Sequence, residues 1–181
     1  MAEIKSTLDL VMEKTRNLSL SSEERKEQKD KEIDNRIRGL LQKFIDQTLG
    51  IENFKSEYQK LQKDYDLSGN VPLIKTICDR IELGKDNQAL FDLLAESKVS
   101  DFEGIKSILQ KFQTASDAAA RERSKILKEQ LAQTHFISGS AVVPNLEKDD
   151  DWRKEAGEIR AKYGALLDKE KARLLAESSA V

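Results

Sequence analysis

Apolar residues recur three and four positions apart along most of this chain, which is the pattern of amphipathic α-helices. Prolines, glycines and short polar clusters interrupt that pattern and separate helical segments of unequal length. The pattern predicts an all-α protein. We expect an elongated antiparallel stalk of two to three long amphipathic helices, a compact head of short helices, and one short β-like hairpin between the last two helices.

The interruptions indicate a single domain made of consecutive parts. These parts are a first helix and its connection at 1–20, a long helix at 21–50, a head of short helices at 51–99, a second long helix at 100–134, a β-like arm at 135–149 and a last helix at 150–178.

The first long helix has two unlike halves. Ser21 and Glu24 have the spacing of a capping box, and Gly50 is a suitable stop after Leu49. Ser22 to Glu32 contains no apolar residue, whereas apolar residues recur from Ile33 onward. We therefore expect burial to deepen towards Gly50.

The second long helix follows a second capping-box sequence that begins at Ser100. Its apolar seam continues from Phe102 to Leu131 without proline, which predicts a rod of ~45 Å at about 1.5 Å per residue. Small residues occupy the middle of this seam. If the last helix folds back antiparallel about Gly139, Tyr163 should lie near Ala119.

The helical pattern fails at His135, where two short β-like runs flank a turn at Gly139. Hairpins this short are marginal alone in water, yet Phe136, Ile137, Val142 and Val143 are too apolar for a free linker. The segment must dock, either on its own helices or on another chain. These four residues are the predicted partner or self-association site.

Charge gives little support for a nucleic-acid or membrane partner. Lys and Arg number 31 against 33 Asp and Glu, a net charge of -2, so no bulk attraction to phosphates or anionic lipids is expected. The most basic patch runs from Arg121 to Lys128, but acidic residues dilute it, which favours a solvated face. No stretch of 18 apolar residues is present that could span a membrane.

The residues whose types often serve in catalysis or metal binding lie in sequence contexts that favour structural roles. Cys78 falls among apolar helix positions, which indicates core packing, and the single histidine, His135, falls at a helix end. Asp149, Asp150 and Asp151 precede a helix, where acids cap N–H groups. Gly157 and Gly164 share one face of the last helix, where close approach of another element and no role at all both stay open. We predict no catalytic, cofactor-binding or metal-binding residue.

These patterns favour a non-enzymatic helical interaction protein, a scaffold or adaptor that self-associates, most simply as a dimer, and binds an unidentified protein partner. The acidic residues among the first fourteen argue against a signal peptide, so we expect a cytoplasmic location. A nucleic-acid-binding or regulatory helical module is the alternative, and an enzyme of unrecognised type is a remote one.

Overall fold

The computed structural model describes residues 21–97 and 101–178. Helical residues make up 79% of this part, which contains no strand, so the all-α prediction is confirmed. The helices are α1 (Ser22–Ile45), α2 (Ile51–Tyr65), α3 (Val71–Arg80), α4 (Gln88–Glu96), α5 (Glu103–His135) and α6 (Asp150–Ser178), with a short 3-10 helix at Leu146–Lys148. The helix predicted within residues 1–20 lies outside the described residues.

The described helices belong to two compact units, one ending at Leu67 and the other beginning at Ser68. The first contains α1 and α2, and the second contains α3 to α6. The three short helices therefore do not group by themselves, since α2 packs on α1 while α3 packs on α4 and α6. The arrangement of a stalk with a compact head, and its description as one domain, stay predictions.

In the first unit α1 and α2 form an antiparallel pair. The Tyr65 hydroxyl donates a hydrogen bond to Glu32, and the ring centroids of Phe44 and Phe54 are 5.7 Å apart at the other end. Between these contacts lies an apolar seam of buried side chains: Ile33, Ile37, Leu41, Phe54, Tyr58 and Leu61.

The start of α1 is as predicted. The Ser21 hydroxyl accepts a hydrogen bond from the Glu24 amide at 3.1 Å, and the Ser21 amide donates to the Glu24 carboxylate at 2.7 Å. The residues from Ser22 to Glu32 are all exposed. Burial is confined to the second half of α1 and is complete at Ile37 and Leu41, rather than increasing all the way to Gly50.

The predicted end of α1 at Leu49 is wrong. The helix ends at Ile45, Gln47 takes a left-handed conformation with φ of 57°, and the Thr48 hydroxyl donates to the Lys43 carbonyl at 2.9 Å. Gly50 is the N-cap of α2. The chain reverses early because Phe44 must face Phe54 across a connection of only a few residues.

In the second unit the two long helices α5 and α6 run antiparallel. Arg123 binds Asp149 and Asp151 at one end, and Arg173 lies 3.1 Å from Asp101 at the other. With 33 residues, α5 is ~50 Å long at about 1.5 Å per residue, so the prediction of one continuous rod is confirmed. Its N-cap is Phe102, without a side-chain capping bond; the Ser100 of the predicted capping box lies outside the described residues.

The predicted register of this pair is wrong by two helical turns. Tyr163 lies against Phe112, with ring centroids 6.0 Å apart, and not against Ala119. The prediction assumed a tight hairpin at Gly139. The connection occupies nearly the predicted residues, but Asp149 and Asp151 bind Arg123, so α6 begins opposite Arg123 and every later α6 residue meets an earlier α5 residue than expected.

The shorter helices complete an apolar core against this pair. Its buried side chains in α3 and α4 are Leu73, Ile74, Ile77, Cys78, Leu90, Phe91, Leu93 and Leu94, and in α5 and α6 they are Ile105, Phe112, Leu167 and Leu174. The ammonium of Lys171 donates to the Ile81 carbonyl at 2.7 Å, which places a cation on the carbonyl groups at the C-terminus of α3.

Candidate interaction surface

The end of α5 extends beyond the start of α6. Because Arg123 binds Asp149 and Asp151, residues 124–135, here the α5 overhang, extend past the ion pairs at which α6 begins. The loop of residues 136–149, here the tip loop, follows this overhang. Ile137 and Val142 of the loop line a depression of about 180 Å³ together with Lys128, Glu129 and Ala132 of α5. Part of the loop thus lies beside its own helix.

The tip loop contains no strand, so the predicted β-like hairpin is not found. Phe136 takes a left-handed conformation with φ of 55° as the C-cap of α5, and the Ile137 amide donates to the Leu131 carbonyl at 3.2 Å. Gly139 begins a turn that the Val142 amide closes with a 3.3 Å bond to the Gly139 carbonyl. The backbone groups that would start a strand are therefore used to end a helix.

Side-chain burial along part of the loop nevertheless alternates with a period of two residues. Val142, Pro144 and Leu146 are half-buried, whereas Val143 and Asn145 between them are exposed. Such alternation is typical of extended backbone lying on a surface. It explains why the sequence resembled a strand although no second strand lies beside it.

Three apolar side chains of the loop face solvent, and together they are here called the apolar tip. Phe136 is 90% exposed, Val143 85% and Ile137 49%. Val142, which the sequence grouped with them, is half-buried against α5. The predicted self-association residues therefore separate into an outward set and one residue that holds the loop in place.

An ion-pair cluster fixes the far end of the tip loop. Arg123 donates to both carboxylate oxygens of Asp149, at 2.7 and 2.8 Å, and to Asp151 at 2.8 Å. Asp149 also accepts from the Trp152 amide at 2.7 Å and so caps α6, as predicted. The bond from Arg123, reinforced by that amide, lowers the pKa of Asp149. Both side chains of the Arg123–Asp149 pair are only 15% exposed.

A second depression, here the basic groove, lies further along α5. Ala120, Arg121, Ser124, Lys125 and Lys128 line its volume of about 440 Å³. Lys128 also borders the smaller depression beneath the tip loop, so the two depressions adjoin. The sequence identified these basic residues but did not show that three of them surround one groove.

The other residues singled out in the sequence have structural positions. Cys78 is 1% exposed, and burial raises its pKa to about 11, so its thiol is protonated at neutral pH. His135 is the exposed last residue of α5. In the described residues no group of acidic, histidine or cysteine side chains is arranged to hold a metal ion.

Two glycines of α6 and one of α5 differ in their surroundings. No atom lies within 4 Å of where a Cβ would stand at Gly157 or Gly164. A Cβ at Gly104 would instead collide with the carboxylate of Glu170, which accepts from Arg173 at 2.6 Å. Sequence reasoning missed the close approach at Gly104, whose only signal was a glycine in the first turn of a long helix.

Comparison with known proteins leaves this surface without a precedent: no family model matches the chain, and no similar curated protein or solved structure was found. Each helix of the part of the chain that the structure describes is too short or too polar to cross a membrane.

Proposed function

We propose that this protein is a non-enzymatic helical scaffold or adaptor that self-associates through the apolar tip of the α5–α6 pair, as a two-fold dimer in the simplest case. The observation that supports the proposal is the exposure of Phe136, Ile137 and Val143 on a loop whose other large apolar residues are half-buried. Side chains of this size placed in water are typical of contact sites when they are grouped on one element.

The way the tip loop is held supports a contact role. The left-handed cap at Phe136 fixes the loop at its start, and the Arg123–Asp149 pair fixes it at its end. A surface that is already ordered loses less conformational entropy on binding than a flexible one. The outward side chains are thus presented on a restrained loop.

The size of the apolar tip indicates a weak dimer. Stable interfaces bury about 800 Å² per partner, and three side chains supply only part of that area. The remainder would come from polar surface of the tip loop. We therefore expect a dissociation constant of order micromolar.

The non-enzymatic part of the proposal is supported by what the reactive groups do. Cys78 is buried and protonated, Asp149 caps a helix and binds Arg123, and His135 stands in solvent at a helix end. Each has a structural reason for its place. A cytoplasmic location belongs to the same proposal and agrees with a thiol that is buried in the core.

Sedimentation velocity at micromolar concentration tests the proposal. We expect the wild type to sediment as a dimer in exchange with monomer, and Phe136→Ser combined with Val143→Ser to shift it to monomer. The matched control is Leu166→Ser, because Leu166 is also exposed, at 44%, but lies on α6 away from the tip loop. A monomeric wild type, or a dimer that survives the double substitution, would overturn the proposal.

A further inference from the structure

Arg121, Lys125 and Lys128 form a row of three cations along the basic groove of α5. Their spacing of four and then three residues puts them on one helix face, spread over ~10 Å. None of the three has an ion pair with a described residue, whereas Arg123 of the same helix is turned towards α6 and neutralised by Asp149 and Asp151. The groove therefore presents three cations that have no ion-pair partner among the described residues.

Small side chains adjoin the row of cations. Ala120 and Ser124 lie beside it on the same side of α5, and side chains of this size allow the backbone of another helix to approach to about 8–10 Å between axes. The long aliphatic stems of Lys125 and Lys128 add apolar surface. A partner helix at this site therefore meets small and aliphatic groups next to a row of positive charge.

The groove ends at apolar side chains. Beyond Lys128 the adjoining depression is bordered by Ala132, Ile137 and Val142. A binding element that follows α5 from Arg121 towards its C-terminus thus passes three cations and then an apolar recess. A complementary binding element should therefore carry acidic side chains first and an apolar side chain after them.

We propose that the basic groove docks an amphipathic helix of a partner protein. This helix carries carboxylates at positions i, i+4 and i+7, opposite Arg121, Lys125 and Lys128, and a large apolar side chain that enters the recess at Ala132. Charge complementarity gives the site its specificity, and the apolar recess fixes the register. The inference goes beyond self-association, because its contacts are the groove and the recess; of the apolar tip only Ile137 borders this site, and Phe136 and Val143 do not.

A phosphate backbone fits this groove less well than an acidic helix. Nucleic-acid sites combine a larger positive surface with aromatic side chains on which bases stack, and the basic groove is lined by no aromatic residue. Without a surface for base stacking, the groove favours an acidic peptide over a single-stranded nucleic acid.

Fluorescence anisotropy of a labelled synthetic peptide, titrated with the full chain, tests the proposal. The probe is a helix-forming peptide with Glu at i, i+4 and i+7 and Leu one turn beyond. One control peptide has Lys in place of the three Glu, and another has Ser in place of Leu. We expect saturable binding of the first peptide, weakened by salt, no binding of the Lys peptide, and weaker binding of the Ser peptide.

Charge reversal identifies the site. Arg121→Glu with Lys125→Glu should lower the affinity for the acidic peptide at least about tenfold. The matched control, Arg25→Glu with Lys29→Glu, reverses two exposed cations at the same spacing on α1 and should change the affinity less than about twofold. Circular dichroism checks the fold, and Arg121→Gln with Lys125→Gln serves if the reversed variant does not fold.

Three results would overturn the inference: no saturable binding of the acidic peptide, equal binding by the variant reversed at Arg121 and Lys125, or tighter groove-dependent binding of a single-stranded RNA oligonucleotide. Sedimentation separates this inference from the proposed dimer. The groove variant should remain dimeric, and the variant changed at Phe136 and Val143 should still bind the peptide.

Discussion

Two long helices in this protein extend past their partners, and the two extensions are built differently. Residues 22–31 of α1, here the α1 overhang, lie beyond the end of α2 and carry no apolar side chain. The α5 overhang contains Ile126, Leu127 and Leu131, which are half-buried although α6 has not yet begun. The tip loop covers what α6 does not.

The difference supports the proposal that the α5 overhang and its loop make the contact. The α1 overhang is a solvated helix, held by its capping box and by pairs such as Glu27–Lys31 at 2.6 Å. The α5 overhang has a loop packed on it, exposed apolar side chains and a groove with unpaired cations. Charged helix surface is stable in water by itself, whereas grouped apolar side chains such as Phe136 and Val143 are typical of contact sites.

The largest expected difference between the two helices is the loss of stability caused by a proline substitution. Ala119→Pro in the paired part of α5 should lower the free energy of unfolding by about 3 kcal/mol or more, because it removes a hydrogen bond and clashes with the preceding turn. Lys29→Pro in the α1 overhang should have a clearly smaller effect, because only the exposed turn before it has to unfold. Urea unfolding followed by circular dichroism measures both. Similar losses would show that the α1 overhang is not a solvated extension.

Hydrogen exchange should separate the two overhangs directly. Amides of residues 25–31 should exchange at least about tenfold faster than those of residues 126–134, since the tip loop protects the latter from local opening. Exchange measured by mass spectrometry on peptic fragments gives both rates in one experiment. Equal protection would mean that the α1 overhang is covered by another surface, and rapid exchange in both would mean that the tip loop does not stabilise α5.

Much of the helical structure follows from local sequence signals, and the errors have a common cause. The capping box at Ser21, the continuous helix through Ala119 and the cap at Asp149 each depend on residues within one or two turns. The end of α1, the register of Tyr163 and the conformation of the tip loop depend instead on what packs across the chain. The spacing of apolar residues and the identity of capping residues carry no information about such long-range contacts.

The candidate surface was predicted in part. The apolar character of Phe136, Ile137, Val142 and Val143 identified the segment, but the sequence could not show that Val142 packs on α5 while Val143 faces water. In the sequence the basic residues of α5 formed a diluted patch because Glu122 and Glu129 lie among or next to them. In three dimensions Arg123 is turned towards Asp149, which leaves Arg121, Lys125 and Lys128 around one groove.

The ion pair that closes the tip loop should make its stability depend on pH. The bond from Arg123 lowers the pKa of Asp149 in the folded state, so Asp149 stabilises the fold above its unfolded pKa of about 4, and this contribution is lost as the pH falls through the lower folded value. Asp149→Asn should lower the melting temperature at pH 7 by about 2–4 °C. The difference from wild type should shrink as both are acidified.

A matched substitution in the first unit should have a smaller effect. Hydrogen bonds from Tyr65 and then Arg36 lower the pKa of Glu32 as well, but its side chain is 53% exposed against 15% for Asp149, so solvent screens these interactions more. Glu32→Gln should shift the melting temperature by less than about 1 °C. Differential scanning calorimetry at pH 7 and at acidic pH compares the two variants. An equal shift would show that the Arg123–Asp149 pair is no stronger than a surface contact.

The smallest expected effect concerns the open face of α6, and it tests whether the tip loop rather than this face makes the contact between copies. No atom lies near a Cβ position at Gly157 or Gly164, and both residues lie within the helix. Gly157→Ala and Gly164→Ala should therefore each raise the free energy of unfolding by about 0.5–1 kcal/mol, because alanine loses less backbone freedom on folding. Gly104→Ala should lack this gain, since its methyl group displaces Glu170 from Arg173. If a second copy packs on the α6 glycines, the added methyl groups will instead weaken the dimer in sedimentation velocity, and the self-association site will have to be moved from the apolar tip to this face.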